Sequence, residues 1–396
     1  MIAIPRMTRK ILASLLLPHL LFSPQPCVAT SANYSLWMST SIMSRDQGIM
    51  TARGGSSALL QAGITQKAFH RLVGQYPNGT ESFAAYIEKS VNSVVPFIQN
   101  ATFDTSYPLD RLSNGNNLIT LSQGTSNTTF FSTVEALRQS IDLQPRNLAG
   151  GLWYYVYPNW SYLDGMYSFA PFAALYAVRY NKTNIDTALN NIVLQLDLLW
   201  NCCYDNSTNL LVHGYDYSRT AIWANPRTGG SPYVWGRSLG WYLMALVDTL
   251  EVLLPYRHYS QWMILKSQFE KLSTALVKVV DPASGAWWQI LNAIGRSGNY
   301  IESSGSSMFV YALLKGERLG WLVGVQVVAV RAYNYIADTF VDEFHNGTLG
   351  WNGTVAVCSL NSTASFEYYT SQPILYNSVL GSGAFILASL EYELLL

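Results

Sequence analysis

The chain has 396 residues, of which 49% are hydrophobic and 12% charged, a balance that buries a large core and excludes a disordered polar segment as its main content. Lysine plus arginine and aspartate plus glutamate each number 24, so no net field exists to hold nucleic acid or an anionic membrane surface. A partner must be recognised locally, in a pocket. The 26 Tyr and 12 Trp supply flat amphipathic surfaces that suit sugar stacking as well as core packing.

In chain order, residues 1–29 come first, with Arg6, Arg9 and Lys10, an apolar run over 11–22 and a small-residue stretch ending Cys27-Val28-Ala29. These are the three regions of a secretory signal, and cleavage is expected near Ala29. The run is too short to span a bilayer, so residues 30–396 are expected as one exported domain with no membrane partner. Asn-x-Ser/Thr sequons at Asn33, Asn78, Asn100, Asn127, Asn159, Asn181, Asn206, Asn346, Asn352 and Asn361 predict N-glycosylation, first on the scattered loop sites. With Cys27 lost, Cys202, Cys203 and Cys358 remain, and Cys202 or Cys203 is expected to bridge to Cys358. No Cys-x-x-Cys or His-Glu-x-x-His spacing is present, so neither metal nor cofactor is expected.

Apolar residues recur at helical spacing over 33–45, 52–73, 82–100, 106–123, 127–143, 163–180, 182–200, 232–254, 257–279, 302–319, 322–341 and 378–394. Strand-like alternation is short and rare. Twelve such segments predict an all-α fold, six helical hairpins closing into an (α/α)6 barrel whose loops form one mouth; an open helical solenoid is the competing arrangement. The intervening segments 151–160, 210–230, 285–298 and 346–372, rich in Gly, Pro, Asn and aromatics, are where chemistry is expected.

The run Tyr154-Tyr155-Val156-Tyr157-Pro158-Asn159-Trp160-Ser161-Tyr162-Leu163-Asp164-Gly165-Met166-Tyr167 sets one carboxylate among aromatic rings at the start of a predicted helix. Desolvation by such neighbours disfavours the charged form, which keeps a carboxyl available as a proton donor; a plain helix cap is the alternative for Asp164.

Within this run, residues 157–167, Tyr-Pro-Asn-Trp-Ser-Tyr-Leu-Asp-Gly-Met-Tyr, resemble the signature of the unsaturated rhamnogalacturonyl hydrolases of glycoside hydrolase family 105. Ser231-Pro232-Tyr233-Val234-Trp235-Gly236-Arg237-Ser238-Leu239-Gly240-Trp241-Tyr242 is similar to the family's Trp-Gly-Arg segment, Gly285-Ala286-Trp287-Trp288-Gln289 to its Trp-Tyr-Gln loop, and Tyr300-Ile301-Glu302-Ser303-Ser304 to its Glu-Ser/Ala-Ser helix start. Phe366-Glu367-Tyr368-Tyr369 and Gly381-Ser382-Gly383-Ala384-Phe385 continue the match, which runs over roughly 105–394. The resemblance implies an (α/α)6 barrel, no metal and no covalent intermediate. Its substrates would be oligosaccharides left by polysaccharide lyases, whose terminal uronate carries a double bond between carbons 4 and 5. A vinyl ether of this kind protonates to an oxocarbenium-like cation that water then traps.

The resemblance further implies that Asp164 is the acid/base and that Asp110, in Tyr107-Pro108-Leu109-Asp110, positions substrate and water. His213 would face the sugar, and Arg237 would pair with the sugar carboxylate beside Trp235 and Trp241. Trp288, Ser304 and Tyr369 are weaker candidates for the wall. Thr51-Ala52-Arg53-Gly54-Gly55-Ser56-Ser57 departs from the family's Trp-x-Tyr type segment, which leaves the sugar beyond the uronate open. Three other readings stand: an unsaturated glucuronyl hydrolase acting on other acidic polysaccharide fragments, an ordinary inverting (α/α)6 glycosidase of neutral sugars with two carboxylates flanking the bond, and an inactive secreted carbohydrate-binding barrel.

Overall fold

The computed structural model describes residues 33–51, 57–124 and 127–396, together with Met1. The signal segment and residues 52–56 of the divergent segment lie outside the described residues. Twelve long helices follow one another: α1 Tyr34–Ser44, α2 Ala58–Gln75, α3 Glu81–Ile98, α4 Gly115–Gly124, α5 Thr128–Leu143 and α6 Asp164–Tyr180, then α7 Ile185–Cys203, α8 Gly236–Val252, α9 Ser260–Lys278, α10 Ser303–Arg318, α11 Gln326–Phe340 and α12 Val379–Glu393. A 3-10 turn, Leu109–Asn114, leads into α4.

Burial sorts the helices into two layers. In α8 every residue from Gly236 to Leu250 is buried, and α10 and α12 are buried almost as completely, the mark of helices surrounded on all sides. By contrast α3 buries Phe83, Tyr86, Ile87, Val91, Val94 and Ile98, a one-sided stripe at three- and four-residue spacing. The even-numbered helices form a closed inner ring: α12 packs on α2, α2 on the Leu109–Asn114 turn, that turn on α6, α6 on α8, α8 on α10 and α10 on α12. Outside them α3, α5, α7, α9 and α11 pack on α2, α4, α6, α8 and α10, and α1 packs on α12. This is the expected (α/α)6 barrel, and ring closure excludes the open solenoid. Close approach inside the ring explains one glycine, because a Cβ on Gly240 of α8 would stand 2.8 Å from Met308 Sδ of α10.

The inner helices are cut to shape at their ends. Glu302 caps α10 by accepting the Gly305 N–H, and Lys315 and Arg318 occupy its last turn, each favourable at its own end of the helix dipole. Between helices, the strand Trp160–Tyr162 pairs antiparallel with Gly214–Asp216, joining the two loops that flank Asp164 and His213.

One expectation fails: Cys202, Cys203 and Cys358 carry free thiols. Cys203 ends α7 within the main barrel core, whereas Cys358 belongs to a separate apolar cluster around Trp235 and Tyr369, so the fold holds the two ends of the expected bridge in different layers.

Candidate active site

The N-terminal ends of the inner helices converge on a cavity of about 290 Å³. Asp110, Asp164, Trp235, Arg237 and Trp241 line it with Tyr107, Tyr154, Tyr155, Tyr157, Tyr162, Cys358 and Ser359. Asp164 is the first residue of α6, yet it makes no capping bond to that helix. Its Oδ2 instead accepts from the Ser238 hydroxyl on α8, and among the described residues no group is bonded to its Oδ1. The cap alternative therefore does not hold.

Asp110 stands on the Leu109–Asn114 turn, 5% exposed. Tyr154 donates its hydroxyl to Oδ2 at 2.8 Å, while Oδ1 is buried without a partner. Burial, with the neighbouring Asp164 charge added, lifts the Asp110 carboxyl to about 7, against the opposing pull of the Tyr154 bond and Arg111. Arg111 is itself fully buried, with its guanidinium spent on Tyr107 O, Ser140 and Gln144, so it fixes the turn more than it compensates the carboxyl.

His213 is fully buried behind Asp164 and does not itself line the cavity. The Leu163 N–H donates to His213 O at 3.1 Å, and the Tyr369 hydroxyl is 2.7 Å from Nδ1. Nε2 lies 3.3 Å from Asp164 Oδ2 but lacks the alignment of a hydrogen bond. His213 and Tyr369 thus back the Asp164 carboxyl from below.

Arg237 is placed differently from the sequence expectation of a free fork. It donates to the carbonyls of Val355 at 2.7 Å and Ala356 at 2.6 Å, with Ser304 Oγ at 3.4 Å, and its guanidinium sits 4.9 Å from the Trp235 ring centre. Ser304 lies behind the wall, donating to Glu302, whose carboxylate also accepts the Val355 N–H. Arg237 and Glu302 therefore hold the Val355–Ala356 backbone from two sides and so present Cys358 and Ser359 to the cavity. Trp241 forms the floor, its ring 4.4 Å from that of Tyr167. Trp288 is half-buried and outside the cavity lining.

Two contributors were not singled out from sequence, Tyr154 and Ser238. Ser238 lies inside a motif that carried the resemblance and Tyr154 three residues before another, but only the fold shows that they bond to the two carboxyls.

An all-helical ring with two carboxyls at its mouth, walled by aromatic side chains, has the build of the six-hairpin glycosidases. The model of Glycosyl Hydrolase Family 88 matches residues 62–396. A solved glycoside hydrolase of family 105 from Clostridium acetobutylicum superposes with a TM-score of 0.82 at 35% identity, covering 91% of this chain and 99% of that one. Protein Atu3128 of Agrobacterium fabrum is 36% identical over 197 residues, 47% of this chain and 83% of its own. The unsaturated glucuronyl hydrolase of Bacillus sp. GL1 shares the fold, with a TM-score of 0.65 at 10% identity over 91% of this chain and 95% of that one. The chain belongs to the family 88 and 105 glycoside hydrolases.

Proposed function

We propose that this hydrolase releases a terminal 4,5-unsaturated uronic acid from lyase-generated pectic oligosaccharides of the rhamnogalacturonan type. The observation that carries the reading is the pair Asp164 and Asp110 on one aromatic-walled cavity, each with an oxygen free of protein partners. Asp164, as the acid, adds its proton to carbon 4 of the ring, and the positive charge develops at carbon 5 and the ring oxygen. Water adds at carbon 5 while the Asp164 carboxylate takes its proton, which restores the acid. The resulting hemiketal opens and expels the remaining sugar, so no second carboxylate is needed as a nucleophile. Ser238, bonded to Oδ2, and His213 behind it hold the Asp164 carboxyl in one orientation. Asp110, uncharged up to about pH 7, donates through Oδ1 to substrate or water. The wall arginine contributes positive potential toward the uronate while its donors stay on the main chain.

Export and N-glycosylation belong to the same proposal, resting on the character of residues 1–29 and on the sequons, of which all but Asn159 and Asn181 are exposed. The test of activity is the ultraviolet band of the conjugated double bond, followed on lyase-treated rhamnogalacturonan beside lyase-treated glycosaminoglycan. Bleaching of the first by the native protein, and none with Asp164→Asn, supports the proposal. Faster bleaching of the second would favour a glucuronyl hydrolase, and bleaching of neither would leave a binding barrel.

A further inference from the structure

At the opposite, C-terminal end of the inner ring lies a second cavity of about 210 Å³, which no step of the proposed reaction uses. It is separated from the catalytic mouth by the floor pair: Trp241 lines the upper cavity and Tyr167 the lower. Lys67 reaches into this lower space, its Nζ 4.9 Å from the Tyr167 ring centre and 5.4 Å from that of Tyr311.

The charges around it do not balance. Asp248 is shared by two ammonium groups: Lys67 bonds Oδ2, and Lys315 bonds Oδ1 at 2.6 Å. Lys315 also holds Glu251 at 2.7 Å, Arg71 spans Glu251 at 3.4 Å and Glu391 at 3.3 Å, and Arg318 holds Glu391 at 2.6 Å. Four cations thus meet three carboxylates. Among the described residues Lys67 has Asp248 as its one polar partner, although an ammonium offers three N–H groups.

Part of the remaining lining is polar and unspent, beside the apolar Pro171, Leu175 and Val252. Among the described residues Ser168, 1% exposed, has a hydroxyl with no partner, the Asn116 Oδ1 is likewise unpaired, and no bond is made by the side chain of the buried Asn117. His70 completes this side. Buried polar groups in a folded protein are ordinarily paired, and unpaired ones lining a cavity beside a surplus cation suit a charged, hydrogen-bonding ligand.

We propose that this lower cavity is a binding site for a small oxyanion, a carboxylate, phosphate or sulfate, held by Lys67 with Ser168, Asn117 and His70. The volume admits a bare inorganic oxyanion and also a molecule the size of a single sugar acid. Such a ligand adds to the compensation of a half-buried ammonium whose pKa is lowered by desolvation and by the neighbouring Lys315 and Arg71 charges, against the raising pull of Asp248. The site is independent of the catalytic reading above it.

The test is calorimetric titration of the full-length protein with sulfate, phosphate and sodium galacturonate against chloride at equal ionic strength. Saturable one-to-one binding of at least one oxyanion is expected, and comparison of the three distinguishes an inorganic ion from a sugar acid. Lys67→Met and Ser168→Ala should each weaken binding by about tenfold, the loss of one hydrogen bond to a charged group, while Asp164→Asn binds as the parent does. Ser168→Ala removes a single unpartnered oxygen and so decides the matter if Lys67→Met does not fold. No binding above chloride, or undiminished binding by the folded variants, overturns the proposal. Loss of binding in Asp164→Asn alone does so too, because it moves the anion to the upper cavity.

Discussion

Replacing Asp110 by Asn should cost activity and return stability, and the two effects separate by pH. The carboxyl titrates near 7 in the folded chain against 3.8 for an unperturbed one, because the fold buries it beside Asp164. A raised carboxyl pKa means that the folded state binds the proton more tightly. Its stabilising contribution is complete below about pH 4, declines as the unfolded chain ionises, and is fully lost above pH 7. The difference of about three units corresponds to roughly 4 kcal/mol at pH 8, an upper figure since relaxation and water entry reduce it. Asn keeps an acceptor for the Tyr154 hydroxyl and removes the titration. Denaturation of Asp110→Asn and parent at pH 8 should therefore show the variant ahead by about 2–4 kcal/mol, with the gap closing at pH 4, while turnover at pH 6 falls by two orders of magnitude or more. An equal stability difference at both pH values would refute the burial argument, and full activity would remove Asp110 from the reaction.

Tyr154→Phe withdraws the hydroxyl that holds the Asp110 carboxylate. The limb of the kcat/KM profile governed by that group should move up by about 1 pH unit, the worth of one bond to a charged acceptor. Ser238→Ala frees Asp164 Oδ2, and kcat should drop by roughly tenfold with KM little changed, read by steady-state bleaching kinetics. Arg237→Lys cannot reach both the Val355 and Ala356 carbonyls with a fork. It should destabilise the chain by about 2–3 kcal/mol and raise KM, measured by thermal melting and kinetics together. Asp248→Ala strands two ammonium groups under the floor and should cost about 3–5 kcal/mol in denaturant titration.

The twelve helices were legible because a helix between core and solvent writes a 3.6-residue period, as α3 does, while a helix within the ring writes a near-continuous apolar run, as α8 and α12 do. Asp164 was legible as well, for a carboxylate inside an aromatic run at a helix start is a rare local pattern. The partners of these groups were not. His213 reads like a residue facing the sugar but lies buried behind Asp164, 156 residues along the chain from the Tyr369 hydroxyl it bonds. Arg237 reads like a carboxylate clamp, but its donors cross to backbone 118 and 119 residues away. The expected disulfide failed for the same reason: counting cysteines does not tell which layer each one joins.

By itself the sequence determined what depends on neighbours within a few turns: the existence of the helices, the aromatic loops and the seat of Asp164 at a helix start, although the segment 106–123 is a 3-10 turn followed by a helix that begins only at Gly115. Only the tertiary structure decided what depends on ring closure. Four helix starts and a 3-10 turn, separated by tens of residues, meet at one mouth, so it is the closed ring that sets Asp110 near Asp164, lifts its pKa by burial, and turns Arg237 toward the main chain. Burial and long-range bonding are properties of that assembled ring, and no local window of residues contains them.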